Sequence, residues 1–249
     1  MDNNNSSSSS SSDGDDNSIQ QRPKIRWAPL EGNPEVWNQL VHSNGVNLSW
    51  SYTDVFGFDS ELLAMIPRPV VAFIFLFPLT KNYEKHNEEE EVWLTKHEQN
   101  VNPDVIFFKQ TIVNACGMIA LLHSLANNDS LVGPGLFRNL IDEAKDMSPE
   151  ERAELLENSK ELADIHGTCA QAGQTQAPDA SEEVDLHFIC FVVKNEHLYE
   201  LDGRKLFPIN HGKCLDIVEG AAKIMRQYIA RDPDQSNFSA IALTKTPEE

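Results

Sequence analysis

The stretch Phe107-Phe108-Lys109-Gln110-Thr111-Ile112-Val113-Asn114-Ala115-Cys116-Gly117-Met118-Ile119-Ala120-Leu121-Leu122-His123 constrains the fold more than any other part of the chain. Val105 to Phe108 is apolar and reads as a strand that runs into a polar turn. Met118, Ile119, Leu121, Leu122 and Leu125 then follow helical spacing, which predicts a helix beginning near Asn114. Asn114 is the expected N-cap, its short amide satisfying an orphan N–H. Cys116 therefore falls in the first helical turn, where free N–H groups and the positive end of the helix dipole favour a thiolate. The alternative is a buried cysteine at the start of a core helix, since free Cys packs as a small hydrophobe.

The remaining composition narrows the class. A chain of 249 residues suits one substantial domain with its own core. Its 39 acidic and 20 basic residues give a net charge of −19, which disfavours nucleic acid and anionic membranes. The same charge suits a basic protein partner or simply keeps the molecule soluble. Cys116, Cys169, Cys190 and Cys214 form no C-x-x-C pair, and no histidine cluster has zinc-ligand spacing, so neither metal nor cofactor is expected. Cys190 lies in an apolar run and reads as core. No apolar signal region opens the sequence, and the longest apolar run, Val70 to Phe77, is far shorter than a membrane span. Free thiols in a cytoplasmic or nuclear setting are the expectation.

Residues 1–22, with a run of seven serines, read as a disordered tail, and 23–246 as the folded domain. Asn33-Pro34-Glu35 is an N-cap, N1 proline and first-turn acid, and Gly45 closes that helix. A short helix is expected at Asp59 to Met65. Val70 to Phe77 is branched and aromatic throughout, as a buried central strand would be. Asn82 to Gln99 reads as solvated surface. Leu136 to Ala144 predicts a helix, and Ser148-Pro149-Glu150-Glu151 predicts another, running to about Ile165. Gly167 to Glu183 lacks periodicity and reads as a disordered segment or a lid. Val184 to Val193 and Glu196 to Leu201 form a hairpin, Lys205 to Ile209 a further strand, Ile217 to Tyr228 a long helix and Phe238 to Leu243 a last strand. Helices alternating with strands, including a hairpin, indicate an α/β or α+β domain.

A thiol nucleophile needs a base, and the base needs an orienting partner. His187 interrupts an otherwise apolar strand, as either a core histidine bonded to backbone or a working group. Were Lys194-Asn195 the hairpin turn, His187 would face Asp202 directly; were it Asn195-Glu196, the two would be diagonal neighbours on one face. Asp202 thus becomes the candidate orienter, although Asp202-Gly203 is also a good turn dipeptide. His123 is two helical turns from Cys116 and too far to act on it, and His166 is the second-choice base. The Cys116 N–H and the Gln110 side chain, six residues upstream, are candidate oxyanion donors.

The segments beginning Trp27-Ala28-Pro29-Leu30-Glu31-Gly32-Asn33-Pro34, Val55-Phe56-Gly57-Phe58-Asp59, Lys109-Gln110-Thr111-Ile112-Val113-Asn114-Ala115-Cys116-Gly117, Met147-Ser148-Pro149-Glu150-Glu151, Val184-Asp185-Leu186-His187-Phe188 and His197-Leu198-Tyr199-Glu200-Leu201-Asp202-Gly203-Arg204 resemble the ubiquitin carboxyl-terminal hydrolase family, above all its short single-domain members. The resemblance spans about Arg26 to Leu243. It implies a papain-like cysteine peptidase core, a central antiparallel sheet between helices, a knotted backbone and a crossover loop at roughly Asp146 to Pro178. It implies Cys116 as nucleophile, His187 as base and acid, Asp202 as orienting carboxylate and Gln110 as oxyanion donor. It further implies ubiquitin contacts at Pro29, Leu30, Glu35 and Asp54, a monomeric state, and small or unfolded adducts as leaving groups. Gln235 stands where close relatives carry an acid, which weakens one expected contact to ubiquitin. The rival readings are a ubiquitin-like modifier such as NEDD8 as substrate, a non-catalytic ubiquitin-binding protein, and a lysosomal papain-type protease.

Overall fold

The computed structural model describes residues 24–175, 178–182 and 184–246; the expected tail at 1–22 lies outside them. The elements run α1 (Pro34–Ser43), β1 (Trp50–Val55), α2 (Ser60–Leu63), β2 (Val70–Pro78), α3 (Lys81–Lys96), α4 (Cys116–Ala126), a 3-10 turn (Asp129–Leu131), α5 (Leu136–Ala144), α6 (Pro149–Asn158), α7 (Lys160–Gln171), β3 (Leu186–Lys194), β4 (His197–Leu201), β5 (Ile209–Lys213), α8 (Ile217–Arg231) and β6 (Ser239–Lys245). The six strands form one antiparallel sheet in the order β1-β6-β2-β3-β4-β5. β2 and β3 are apolar on both faces because both faces are covered. Ala72, Ile74, Phe188 and Cys190 pack with α4 and α5 on one side. Phe73, Phe75, Ile189 and Phe191 pack with α8 on the other.

The local signals at α1, α6 and α8 hold. Asn33 Oδ1 accepts from the Glu35 and Val36 N–H groups, and Ser148 and Glu151 form the capping box. Ser159 divides the single helix expected up to Ile165. Its extended backbone ends α6, and its hydroxyl accepts from the Leu162 N–H to start α7. α7 also takes in the first part of the segment read as structureless, so most of the expected crossover region is helical.

Two further expectations are corrected. Val105 to Phe108 is buried but belongs to no strand. Its backbone is satisfied by side chains instead: Phe108 N–H donates to His123 Nε2 (2.9 Å), and Ile106 N–H donates to Asn127 Oδ1 (2.9 Å). Asn127 Nδ2 donates to Ile106 O (2.9 Å), and Arg152 donates to Phe107 O. α4 thus stands in for a neighbouring strand. The acidic run after Asn82 is surface, as expected, and folds as the mostly exposed helix α3, capped by Thr80. Lys205 to Ile209 is turn rather than strand, because the Lys205 ammonium is drawn inward onto Glu90 and Glu200 (both 2.6 Å); β5 begins only at Ile209. β1, at the sheet edge, carries no clear alternation and went unread in the sequence.

Candidate active site

Cys116 opens α4, but its helix start differs from the expectation. Ala115 occupies the N-cap position without a side-chain bond, and Asn114 adopts a left-handed backbone (φ 63°). The Asn114 amide turns away to donate to Ala180 O (3.3 Å) and Glu182 O (3.4 Å). The first N–H groups of α4 are therefore free of a side-chain cap. Gly117 brings the helix close to its neighbours, since a Cβ there would lie 3.1 Å from Leu30 Cβ and 3.4 Å from the Phe188 ring.

The hairpin turn is Asn195-Glu196, both with positive φ, as a type I′ turn needs. The register pairs Lys194 with His197 and Cys190 with Leu201, which makes His187 and Asp202 the diagonal neighbours of the second alternative. Their side chains meet: His187 Nε2 lies 2.6 Å from Asp202 Oδ1, with both residues almost wholly buried. Asp202 Oδ1 also accepts from the Arg204 N–H (2.9 Å), and Oδ2 accepts from the Tyr83 hydroxyl (2.7 Å).

The electrostatics follow from this burial and pairing. Burial alone would lower the pKa of His187; the charge and hydrogen bond of Asp202, with help from Cys116, outweigh it and push it up to about 9. Burial alone would raise the Cys116 thiol; the hydrogen bond and charge of His187, with the backbone of Phe188 and Gly117, bring it below its ordinary value. Burial works against the Asp202 carboxylate as well, and His187, Lys205 and the Arg204 backbone overcome it to hold its pKa down at about 2. The pairing thus pulls Cys116 towards thiolate and His187 towards imidazolium, backed by the Asp202 carboxylate.

Gln110 sits beside this group. Its N–H donates to Gly203 O (2.8 Å), and a Cβ on Gly203 would come within 2.9 Å of Gln110 Cβ, so glycine permits the contact. The Gln110 amide donates to Ile112 O (3.2 Å), while its buried Oε1 has no partner among the described residues. Two clefts of about 240 Å³ each meet at Cys116. One is mainly apolar, with Pro29, Leu30, Leu76 and Phe188 in its walls. The other is polar and contains Gln110, His187, Lys24 and Arg204. Asn114, Val184 and Leu186 border both. Pro29 and Leu30 thus reach the site, whereas Glu35 and Asp54 are exposed on α1 and β1, outside both clefts.

The other histidines have structural partners. His166 is buried against Trp27, its Nε2 2.7 Å from Ala28 O, and desolvation holds its pKa down at about 4, which removes it as second-choice base. His123 is bound to the Phe108 N–H. Sequence reasoning missed Tyr83, Glu200 and Lys205. The one available signal was Tyr83 and Glu90, seven residues apart and so on one helical face, inside a run dominated by charge.

Comparison with known proteins then decides the lineage. A family model described as "Ubiquitin carboxyl-terminal hydrolase, family 1" matches residues 27–230. The chain belongs to the ubiquitin carboxyl-terminal hydrolase family. It is 43% identical over 223 residues to a Drosophila melanogaster ubiquitin carboxyl-terminal hydrolase, covering 88% of this chain and 98% of that one. It is 39% identical over 226 residues to human ubiquitin carboxyl-terminal hydrolase isozyme L1, covering 89% and 99%. Among solved structures, the Trichinella spiralis UCH37 catalytic domain bound to ubiquitin vinyl methyl ester superposes with a TM-score of 0.70 at 24% identity, over 89% of this chain and 96% of that one. The six-stranded sheet with flanking helices is therefore the hydrolase family's fold.

Proposed function

We propose that this family member hydrolyses the peptide or isopeptide bond after the C-terminal glycine of ubiquitin, with Cys116 as nucleophile, His187 as acid and base, Asp202 as orienter and Gln110 as oxyanion donor. The observation that carries the reading is the convergence of Cys116, the 2.6 Å His187–Asp202 pair and Gln110 where two clefts meet. The Cys116 thiolate attacks the scissile carbonyl. The Cys116 N–H and the Gln110 amide, once released from Ile112 O, receive the oxyanion, one such donor being worth about 3 kcal/mol in the transition state. His187 then protonates the leaving amine, and a water deprotonated by the same ring resolves the thioester.

This chemistry orients the substrate. The leaving group must lie on the His187 side to receive its proton, which assigns it to the polar cleft. The ubiquitin tail then takes the apolar cleft, where Pro29 and Leu30 flank it. Glu35 and Asp54 are left for contacts with the body of ubiquitin. On the same reading the molecule works as a monomer in the cytoplasm, consistent with its four free cysteines.

A fluorogenic amide on the ubiquitin C-terminus tests the proposal. The native chain turns it over, and Cys116→Ala abolishes turnover while ubiquitin binding remains. Turnover in the Cys116→Ala protein would remove the mechanism. Binding without turnover by the native chain would favour a non-catalytic ubiquitin-binding role.

A further inference from the structure

The surface helix α3 reaches the site through one face. Tyr83 donates to Asp202 Oδ2, Glu84 accepts from Arg204 (2.9 Å) and Glu90 accepts from Lys205. All three bonds end within the four residues 202–205: one on the Asp202 carboxylate itself and two on Arg204 and Lys205, just after the Asp202-Gly203 turn. Tyr83 is buried, its ring packed against Phe77 and Tyr228 at 4.8 and 6.2 Å. Asp202 Oδ1 is taken up by His187 Nε2 and the Arg204 N–H, so the Tyr83 hydroxyl is the one hydrogen-bond donor to Oδ2 among the described residues. A carboxylate turns easily about its last torsion. Donors on both oxygens leave it one setting.

We propose that Tyr83 is a positioning residue for the hydrolysis: its hydroxyl fixes the plane of the Asp202 carboxylate and, through it, the His187 ring that faces Cys116. The proposal rests on the catalytic roles given in the preceding section. Burial keeps the phenol protonated far above neutral pH, so it remains a donor across the working range. The reach from α3 also gives that helix a purpose its composition hides.

Tyr83→Phe retains the packed ring and removes only the donor. We expect kcat on the fluorogenic ubiquitin substrate to fall about tenfold with KM nearly unchanged, the usual size of effect for a group that orients a working residue. Alkylation of Cys116 by iodoacetamide, followed against pH, is expected to show its acid limb displaced upward, because a loosened imidazole holds the thiolate less well. In an Asp202→Asn background, the same substitution is expected to add no further loss. An unchanged kcat and alkylation profile in a protein with native unfolding behaviour would overturn the proposal. So would a loss confined to KM, or losses that multiply in the Asp202→Asn background. Alkylation needs no ubiquitin, so a native chain with a low-pH alkylation limb but no turnover would sink the substrate reading and leave the role of Tyr83 readable.

Discussion

Exchanging Asp202 for asparagine keeps the shape of the site and removes the charge that holds up the pKa of His187. The native alkaline limb of kcat/KM is expected near the His187 value of about 9. In Asp202→Asn it should move down by more than one pH unit, and kcat should fall on the order of 10² or more. The same groups set a stability window. The His187 pKa is raised above its ordinary 6.5, so its contribution is complete below 6.5 and is lost as pH rises through about 9. The Asp202 pKa is depressed from 3.8, so its contribution is complete above 3.8 and is lost as pH falls through about 2. Urea unfolding followed against pH is expected to show both edges, and Asp202→Asn to flatten them. For Gln110→Ala we expect kcat to fall about 10²-fold with ubiquitin affinity retained. The place of Cys116 at a helix start and the pairing of His187 with Asp202 were legible in the sequence because helix onset and hairpin pairing are local and fix relative positions. Tyr83 and Lys205 were not, because their partners lie 119 and 115 residues away along the chain.

Among the elements, the buried segment before Gln110 shows where pattern reading stops. Its apolar run matches a strand, but the sequence cannot say whether backbone partners will be another strand or the side chains of a helix. Here they are His123, Asn127 and Arg152. Asn127→Leu would leave the Ile106 N–H and C=O unsatisfied in the core. We expect it to cost about 2–4 kcal/mol, at the price of one to two buried polar groups, measured by urea unfolding. α3 lies on the surface, as its charge suggests, but its inward contacts went unforeseen, since they are made by a buried tyrosine and a partly exposed glutamate rather than by apolar residues. Ser159 was missed because a serine inside a helical pattern reads as tolerated, not as a joint. By contrast β2, β3 and α8 were plain from sequence, their burial being large enough to dominate every competing local preference.

For the molecule as a whole, the charge of −19 is expected to act on encounter rather than on chemistry. With a substrate that presents a basic face, kcat/KM is expected to decline several-fold as salt rises past about 0.1 M, while kcat stays level. An equal decline in both would place the salt effect at the reacting groups. The strand order carries a further consequence. β6 lies between β1 and β2, which do not pair with each other. During synthesis, β1 and β2 must wait beside an empty slot until β6 clears the ribosome. A translation stall short of Ser239 would release a body with an open seam, ready to recruit a chaperone or to capture the matching strand of another nascent copy.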